Sequence, residues 1–353
     1  MIKILHLNNF ISHTSGVTRY IYHIVKNTSS YFEHEIVCLG GDAIESFRNL
    51  NINVTVVKRN GTLSIPYTYL TLLKYFNKNT FDIVHNHHRL FDTLTFFLPN
   101  RNFKTITTVH SKVYGNKIFS YRADKLISYC DAITNHLIQY FGKSPDKIQQ
   151  MKSFVDEADI KIELQNEELI DNIELKGNKL IVFVGRFSKE KGVDILIQAF
   201  KEIYRLNNKV VLIMIGEGEE ENFLRNFSSE NKLLVIIFKP QVNIYDYYKI
   251  ADVIVLPSRV DPFPFVMLET GLMKKPFIGS NVDGIPELIK HKVNGLLFKS
   301  ENVGELVSTL KIILEDELFA QRMADNLYED VYENYTVTKV IPEYIKLYNS
   351  FTR

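Results

Sequence analysis

The stretch Leu180-Ile-Val-Phe-Val-Gly-Arg-Phe-Ser-Lys-Glu-Lys191 decides the fold of the second half of this chain. The apolar run that opens it predicts a buried strand, and the pattern from Val193 to Phe200 predicts a helix directly after it. Arg186 therefore leaves the carboxyl end of a strand, and Lys191 lies at the entry to a helix. A loop of this kind suits a diphosphate, because an arginine fork, a lysine charge and free helix amides meet there. A basic loop that only packs or faces solvent is the alternative.

The composition indicates a globular protein. At 353 residues the chain is long enough for two domains, and it is 45% hydrophobic and 24% charged. No apolar run reaches the roughly 18 residues of a membrane span, and the first residues read as a short strand rather than a secretory signal. The two cysteines, Cys38 and Cys130, suit neither a disulfide framework nor a zinc site. We therefore expect a reduced protein of the cytoplasm.

Charge is distributed unevenly between the two halves. Residues 1–150 hold 17 Lys and Arg against 9 Asp and Glu, whereas residues 151–353 hold 25 against 32. The net charge is thus +8 in the first part and −7 in the second, although the whole chain carries only +1. A basic first half suits peripheral contact with an anionic membrane surface. Basic residues spread over a solvated face are the alternative.

Short apolar runs alternate with helical patterns in both halves, which predicts parallel strands joined by crossover helices. Many charged and amide residues break this alternation between Ile160 and Asn178, where we place a junction. We predict an α/β protein with a Rossmann-like domain over residues 1–170, a second one over 171–335, and a final helix over 336–353 that packs back on the first domain. Ligands of such sheets bind beyond the carboxyl ends of the strands, and two facing domains offer a cleft.

The predicted elements are short. We expect strands over residues 2–8, 35–39, 53–57, 81–84, 105–109 and 125–128 of the first half and over 180–184, 210–215, 233–238, 253–256, 276–279 and 295–298 of the second. We expect helices over residues 17–26, 66–77, 132–141, 193–205, 244–250, 265–272 and 285–289, and a helical tail from 303 to 348.

A second constellation reads Leu256-Pro-Ser-Arg-Val-Asp-Pro-Phe-Pro-Phe-Val-Met-Leu-Glu269. Asp261 leaves a strand and Glu269 lies one turn into the next helix, so both carboxylates can line one edge of the sheet and accept bonds from sugar or ribose hydroxyls. The amides of Phe265 and Val266 are free at the helix start and suit a phosphate. A capping aspartate and a surface glutamate are the alternative.

The loop after the first strand carries a single glycine, Gly16, ahead of a helix. It lacks the Gly-x-Gly-x-x-Gly pattern of nicotinamide-binding domains. It can still bring backbone amides close to an anion at the helix start, although a plain turn is the alternative.

Together these segments resemble the retaining glycosyltransferases of family 4. That family has the GT-B fold, in which two Rossmann-like domains with parallel sheets face each other across a cleft that holds the active site. Arg186 with Lys191, and an acidic residue separated from Glu269 by seven residues, carry the resemblance. Further matching segments are Ile215–Gly218, Tyr245–Asp252, Gly284–Glu287 and Asn294–Phe298, and more loosely Gly16–Arg19, Thr107–His110 and Ala123–Ile127.

The resemblance implies roles for the second half of the chain. Arg186 and Lys191 would bind the diphosphate of the sugar donor and stabilise it as it leaves. Glu269 would hold the ribose hydroxyls, and Asp261, in place of the more usual glutamate, would face the transferred sugar. The amides of Phe265 and Val266 would touch the phosphate or the sugar.

It also implies roles for the first half. Gly16 would let the first domain approach the phosphates of the sugar donor, and His110 would lie near the sugar and the acceptor. We expect no metal and no other cofactor, because the Arg/Lys pair supplies the positive charge. The leaving phosphate itself helps to deprotonate the acceptor in such enzymes, so no dedicated protein base is expected.

The sequence departs from the family pattern in four places. Ser15-Gly16 stands where Gly-Gly is common, and Ser153–Asp156 stands where Asn-Gly-Val-Asp is common. Phe238–Gln241 lacks a usual glycine, and Asp283 replaces the glycine that typically precedes Gly284. These changes put donor approach, base contacts and the 153–156 segment in doubt, but they leave the phosphate-binding pair in place.

The run His85-Asn-His-His88 could suggest a metal site. Strand geometry sends His85 and His87 to one face and His88 to the other, and no cysteine or carboxylate clusters with them, so we expect no metal there. A place in the acceptor cleft is an alternative.

Two tyrosine-rich segments, Pro66–Phe76 and Val113–Arg122, mix aromatic and basic residues. Such surfaces suit interfacial binding or a lipid-linked acceptor. Core packing with a solvated basic edge is the alternative.

The resemblance implies a hexosyltransferase that moves a sugar from a nucleotide-diphosphate donor, UDP-linked in our expectation, to a hydroxyl of a surface-glycan or lipid-linked saccharide acceptor. We expect it in the cytoplasm or at the inner face of the membrane, with no nucleic acid as partner. A GT-B epimerase of UDP-amino sugars is one alternative. A catalytically silent GT-B subunit that binds a glycan or a partner enzyme is another, but it would be expected to lack phosphate ligands, whereas Arg186 and Lys191 are present.

Overall fold

A computed structural model describes residues 1–57, 64–99, 101–160, 177–241 and 243–351. The chain divides into two compact units. The first unit is Met1–Ser153 with Val337–Arg353, and the second unit is Phe154–Thr336. The charged stretch in which we place the junction lies mostly outside the described residues.

The first unit contains a seven-stranded parallel sheet. Its strand order is β3-β2-β1-β4-β5-β6-β7. The strands are β1 (Ile2–Leu7), β2 (Phe32–Cys38), β3 (Asn53–Val56), β4 (Ile83–Asn86), β5 (Lys104–Thr108), β6 (Lys125–Ser128) and β7 (Ile148–Gln150). The helices along this part of the chain are α1 (Gly16–Thr28), α2 (Ile44–Arg48), α3 (Ser64–Phe76), α4 (Arg89–Phe96) and α5 (Asp131–Asn135), which continues as a π-helical turn (His136–Tyr140).

The second unit contains a six-stranded parallel sheet. Its strand order is β10-β9-β8-β11-β12-β13. The strands are β8 (Lys179–Val184), β9 (Val210–Ile215), β10 (Val235–Phe238), β11 (Val253–Leu256), β12 (Phe277–Ser280) and β13 (Leu296–Phe298). The helices are α6 (Val193–Leu206), α7 (Glu221–Glu230), α8 (Tyr245–Ile250), α9 (Phe265–Leu272), α10 (Ile285–Leu288), α11 (Val303–Glu315) and α12 (Glu317–Asn334). The two Rossmann-like units confirm the predicted α/β fold class.

Sheet burial explains the apolar runs of the sequence. Every residue of β9 and β11 is buried, as expected for parallel strands that are covered by helices on both faces. The strand order reverses between β1 and β4 in the first unit and between β8 and β11 in the second. A crevice opens at such a reversal beyond the carboxyl ends of the strands, and ligands of doubly wound sheets bind there. The loops that follow β8 and β11 are those singled out in the sequence.

The last helix, α13 (Val337–Asn349), belongs to the first unit. Its Tyr344 accepts a hydrogen bond of 2.9 Å from the hydroxyl of Tyr20 in α1. Its Tyr348 packs edge-on against Phe32, with ring centroids 5.4 Å apart. All four side chains are buried, so this helix completes the core of the first unit.

Several short elements differ from the prediction. Strand β2 begins at Phe32 rather than at residue 35, because Phe32 and His34 point inward between exposed neighbours. The sequence pattern did not predict α2, α4, α7 or β7. Helix α4 escaped detection because it buries Asp92 and Thr95, so its inner face does not read as apolar. Within the described residues, no helix has the length and apolar character needed to cross a bilayer.

Candidate functional site

The loop after β8 is held against the loop after β11. It contains a short 3-10 turn, Lys189–Lys191, and enters α6 through Gly192. Gly192 has a φ of +68°, and a Cβ atom there would lie 1.9 Å from the carbonyl oxygen of Pro257. Only glycine fits such a backbone approach. The contact therefore sets the Lys191 loop directly beside the loop that carries Asp261.

Lys191 and Asp261 form an ion pair where these two loops meet. The Nζ atom of Lys191 lies 2.6 Å from Oδ2 of Asp261, and the hydroxyl of Ser258 donates to the same oxygen at 2.9 Å. The Asp261 side chain is 6% exposed and that of Lys191 is 28% exposed. The structure thus brings together one basic and one acidic residue of the predicted site, and it leaves the lysine accessible from solvent.

Arg186 differs from Lys191 in its exposure and in its side-chain partners. It lies exposed in the same loop, and within the described residues its guanidinium forms neither a hydrogen bond nor an ion pair. A guanidinium without such partners in the described chain retains all of its donors for an anion.

Asp283 supports the Asp261 loop from the side. It occupies a left-handed backbone conformation with a φ of +47°, which explains why glycine is usual at this position in the family pattern. Its Oδ2 accepts a hydrogen bond of 2.9 Å from the backbone amide of Asp261. At the following residue, Gly284, a Cβ atom would lie 1.7 Å from the carbonyl oxygen of Pro262. The departure noted in the sequence is therefore a substitution that adds an anchor for the loop.

Helix α9 carries the remaining predicted residues of the second unit. It begins at Phe265 after Pro264, which has no N–H, and no side chain caps it. The amides of Phe265 and Val266 therefore lie in the first turn, where helices attract anions. Glu269 is 1% exposed, and its Oε2 accepts a hydrogen bond of 2.8 Å from the hydroxyl of Tyr248. The structure places this carboxylate inside the unit rather than on its surface.

His110 and Gly16 belong to the first unit. Gly16 is the first residue of α1, and the side chain of Ser15 caps that helix by accepting from the amide of Thr18. His110 follows β5, with Nδ1 lying 2.6 Å from the Tyr129 hydroxyl and Nε2 lying 3.3 Å from Nδ1 of His87. Burial lowers the pKa of His110 to about 3, so the ring is neutral at pH 7.

Two histidines of the run, His85 in β4 and His87 directly after it, lie in the core of the first unit, whereas His88 is exposed. His85 and His87 share one face as expected, with ring centroids 4.1 Å apart, and His6 of β1 joins them. One ring nitrogen from each of the three lies within 4.8 Å of the others, which is a spacing that a metal ion could use. The expectation that no metal binds here stays a prediction.

Sequence reasoning missed the residues that support the site. Ser258 stood inside the quoted motif, and its spacing of three residues from Asp261 was the available signal. Tyr248 is 21 residues from Glu269, and no local pattern connects the two. His6 and His34 lie near His85 and His87 only because β1, β2 and β4 pair in the sheet.

Two family models match the chain in sequence. Residues 14–159 match Glycosyltransferase Family 4, and residues 165–330 match Glycosyl transferases group 1. Together the two matches leave only the chain ends and a short junction uncovered.

Curated relatives carry related descriptions. An uncharacterized glycosyltransferase of Methanocaldococcus jannaschii is 27% identical over 68% of this chain, and the match covers 63% of that protein. The N-acetyl-alpha-D-glucosaminyl L-malate synthase of Bacillus anthracis is 25% identical over 78% of this chain and 76% of its own length. The capsular polysaccharide biosynthesis glycosyltransferase CapM of Staphylococcus aureus is 26% identical over 55% of this chain and 52% of its own length.

The fold agrees with these matches. The structure of Anabaena HepE in complex with UDP-glucose superposes with a TM-score of 0.87 and 18% identity, over 99% of this chain and 100% of that one. Because two models of one enzyme class account for nearly the whole sequence and the fold is the GT-B fold of that class, the chain belongs to the family 4, group 1 glycosyltransferases.

Proposed function

We propose that this glycosyltransferase is a metal-independent, retaining hexosyltransferase that takes its sugar from a UDP-sugar. The observation that carries the proposal is the arrangement at the β8/β11 reversal of the second unit. Arg186 is exposed and unpaired within the described residues, and Lys191 is accessible beside Asp261. Two cations of this kind suit a diphosphate leaving group, because they stabilise the charge that develops as the glycosidic bond breaks.

In this proposal Lys191 exchanges the carboxylate of Asp261 for the diphosphate of the sugar donor. Its ion pair with Asp261 holds the ammonium in place without a ligand. A diphosphate brings more negative charge than one carboxylate, so the ammonium turns toward the phosphates and Asp261 is released to accept a hydrogen bond from a sugar hydroxyl. The amides of Phe265 and Val266 add donors at the start of α9. The buried carboxylate of Glu269 receives the ribose hydroxyls.

His110 and Gly16 supply the contribution of the first unit. The backbone at Gly16 meets the phosphates of the sugar donor, and His110 meets the sugar and the acceptor hydroxyl. The leaving phosphate accepts the proton of the acceptor on the same face of the sugar, so the configuration at the anomeric carbon is retained.

The acceptor in this proposal is a hydroxyl of a surface-glycan or lipid-linked saccharide. Support comes from a set of exposed apolar side chains on the first unit, which we define as Tyr67, Leu70, Phe97, Ile118 and Phe119. Phe97 and Phe119 are in ring contact at 5.9 Å, and the hydroxyl of Tyr69 in α3 binds the carbonyl oxygen of Phe97. Lys117 and Arg122 lie close by in sequence. Apolar side chains beside basic ones suit a cytoplasmic protein that makes peripheral contact with the inner face of an anionic membrane.

Turnover with purified UDP-sugars tests the assignment of the phosphate pair. Arg186→Ala and Lys191→Ala should each lower kcat by about 100-fold or more, because each removes a charge that acts on the leaving group. The matched controls are Arg205→Ala, an exposed arginine of α6, and Lys179→Ala, a lysine that is ion-paired to Asp252. Rates near normal in both site variants would refute the assignment.

Three further measurements separate the finer parts of the proposal. A panel of nucleotide sugars should give the largest thermal stabilisation with a UDP-sugar, since a ligand that binds the folded state raises its stability. NMR of the product should show the anomeric configuration of the sugar donor, and inversion would refute the retaining mechanism. Addition of EDTA should leave turnover unchanged. If the sugar donor is isomerised without any transfer, the protein is an epimerase instead.

Flotation with vesicles that contain phosphatidylglycerol tests the membrane contact. The protein should float at low salt, and Ile118→Ser with Phe119→Ser should abolish flotation. The control is Leu318→Ser, which removes an exposed leucine from the second unit. Absence of flotation of the unaltered protein at low salt would refute this part.

A further inference from the structure

Four imidazoles, three of them buried and the fourth, His110, partly buried, form a continuous hydrogen-bonded line in the first unit, which we call the histidine relay. It runs from His34 through His6 and His87 to His110. The nitrogen pairs are 3.0 Å apart between His34 and His6, 3.0 Å between His6 and His87, and 3.3 Å between His87 and His110. Each link joins Nε2 of one ring to Nδ1 of another. The relay begins in the first half of β2 with His34 and crosses the end of β1 at His6. It then reaches His87 and His110, which follow β4 and β5.

Thr28 fixes the direction of hydrogen bonding at one end. Its hydroxyl lies 2.6 Å from the carbonyl oxygen of Ile24 and 2.9 Å from Nε2 of His34. A carbonyl oxygen can only accept, so the single hydroxyl proton of Thr28 points to Ile24. The oxygen of Thr28 must then accept from His34, which means that the proton of His34 is on Nε2.

The direction then passes along the relay, because a neutral imidazole has one N–H and one lone pair. His34 accepts at Nδ1 from Nε2 of His6, and His6 accepts at Nδ1 from Nε2 of His87. His87 in turn accepts at Nδ1 from Nε2 of His110. The remaining nitrogen of His110, Nδ1, must be an acceptor, and the hydroxyl of Tyr129 at 2.6 Å is able to donate to it.

Burial keeps these rings neutral, which the relay requires. It lowers the pKa of His34 to about 4 and that of His110 to about 3, and it holds the pKa values of His6 and His87 well below the usual 6.5. No carboxylate in the described chain forms a hydrogen bond with any of the four rings, and the hydrogen bond to Thr28, which raises the pKa of His34, is outweighed by burial.

We propose that the histidine relay locks His110 in the form protonated on Nε2, so that His110 can donate a hydrogen bond to a ligand but cannot act as a general base. Thr28, His34, His6 and His87 are then positioning residues for His110. The 3.3 Å link to His87 is the longest of the relay, so the Nε2 proton of His110 can be shared between His87 and a ligand oxygen without breaking the relay. The protonation pattern depends only on the hydrogen bonds within this chain. Its consequence for sugar transfer rests on the proposed function.

The same cluster could be interpreted as a metal site, but its nitrogens are already used. His85 lies beside the relay and has one nitrogen 2.8 Å from the hydroxyl of Tyr348 and the other 2.7 Å from that of Thr108. Both nitrogens of His6 and both of His87 bind other imidazoles. A metal ion would have to displace several of these bonds.

Long-range proton–nitrogen NMR spectra of protein labelled with 15N in histidine test the relay directly. The large difference in 15N shift between protonated and bare ring nitrogens identifies each form. At pH 7 all four rings should be protonated on Nε2 alone. A ring protonated on Nδ1, or on both nitrogens, would overturn the proposal. Stoichiometric Zn²⁺ should leave these signals unchanged, and their shift together with those of His85 would assign a metal site instead.

Variants of Thr28 test the anchor. Thr28→Val removes the fixed acceptor, so His110 should show a mixture of both singly protonated forms, whereas Thr28→Ser should keep the Nε2 form. Thr309→Val, which removes another buried threonine bonded back to its helix, is the control and should change nothing at His110. An unmixed Nε2 form in Thr28→Val would exclude Thr28 as the anchor.

Kinetics separate this inference from the proposed function. Thr28→Val should lower kcat by about 10-fold to 100-fold with an unchanged KM for the sugar donor, and Thr28→Ser should restore it. A mixed His110 with an unchanged kcat would overturn the positioning role. A protein that shows the four Nε2 forms but transfers no sugar would refute the proposed function and leave the relay standing.

Discussion

Mild acid should unfold the first unit selectively. Five of its histidines, namely His6, His34, His85, His87 and the partly buried His110, are neutral in the folded chain because burial lowers their pKa values. In the unfolded chain each has a pKa of about 6.5 and takes up a proton as the pH falls. The unfolded state therefore binds more protons, and the stability that these rings contribute is full above about pH 6.5 and is lost as the pH falls toward their folded pKa values.

The magnitude follows from the linkage relation. Between pH 7 and pH 5.5, each ring that stays neutral in the folded chain lowers the free energy of unfolding by about 1.3 kcal/mol, and five such rings lower it by about 6 kcal/mol. That loss is comparable to the whole stability of an ordinary domain, which is about 5–15 kcal/mol. The second unit provides an internal reference, because its only histidine is the exposed His291.

Hydrogen exchange followed by mass spectrometry measures both units in one sample. After correction for the intrinsic dependence of exchange on pH, amides of β1, β4 and β5 should lose protection between pH 7 and 5.5, whereas amides of β8, β9 and β11 should keep it. His13→Gln, which removes an exposed histidine of the first unit, should not alter the difference. Equal loss in both sheets, or full protection of the first sheet at pH 5.5, would refute the reasoning.

Three other substitutions probe the site of the second unit. In a denaturant titration, Gly192→Ala should lower the free energy of unfolding by clearly more than Gly142→Ala. Both glycines have a positive φ, but only at Gly192 would the new Cβ atom clash with Pro257. Equal losses would contradict the backbone contact. Lys191→Ala should lower the melting temperature, since among the described residues it leaves the nearly buried carboxylate of Asp261 with Ser258 as its one side-chain hydrogen-bond donor. Arg186→Ala should leave the melting temperature unchanged, and a drop would reveal a structural role. Tyr248→Phe should lower the free energy of unfolding by about 1–3 kcal/mol, because Glu269 loses a buried hydrogen-bond donor. Tyr67→Phe, on the surface, is the control. A loss no larger than that of the control would show that Glu269 does not need this bond.

The sequence predicted the parts of the site that lie close together along the chain. Arg186, Lys191 and the pair Asp261 and Glu269 each follow a strand within thirteen positions, so apolar runs and turn residues were enough to place them at the edge of a sheet. The alternation of strands and helices also predicted that the loops after β8 and β11 lie at the same edge, because parallel strands of a doubly wound sheet end on one side. It did not predict that these two strands are neighbours.

The parts that depend on distant contacts could not be predicted. His6, His34 and His87 are separated by up to 81 positions, and only the strand register of β1, β2 and β4 brings their rings together. The run His85-Asn-His-His88 attracted attention as a possible metal site, but a sequence pattern cannot show that hydroxyls and other imidazoles already occupy the nitrogens. The positive φ of Asp283 left a signal in the sequence, since glycine is usual at this position, but its hydrogen bond to the amide of Asp261 comes from a residue 22 positions away and was not visible.

The position of α13 has a consequence for synthesis on the ribosome. The helix that covers Tyr20 and supplies Tyr344 and Tyr348 to the first unit is made only after the entire second unit has been translated. Domains usually fold as units in the order in which they emerge. In this chain the first sheet emerges first but keeps an uncovered aromatic face until α13 has been made. That face is therefore the surface of the nascent chain that chaperones can bind. The second unit completes its core before the first unit does.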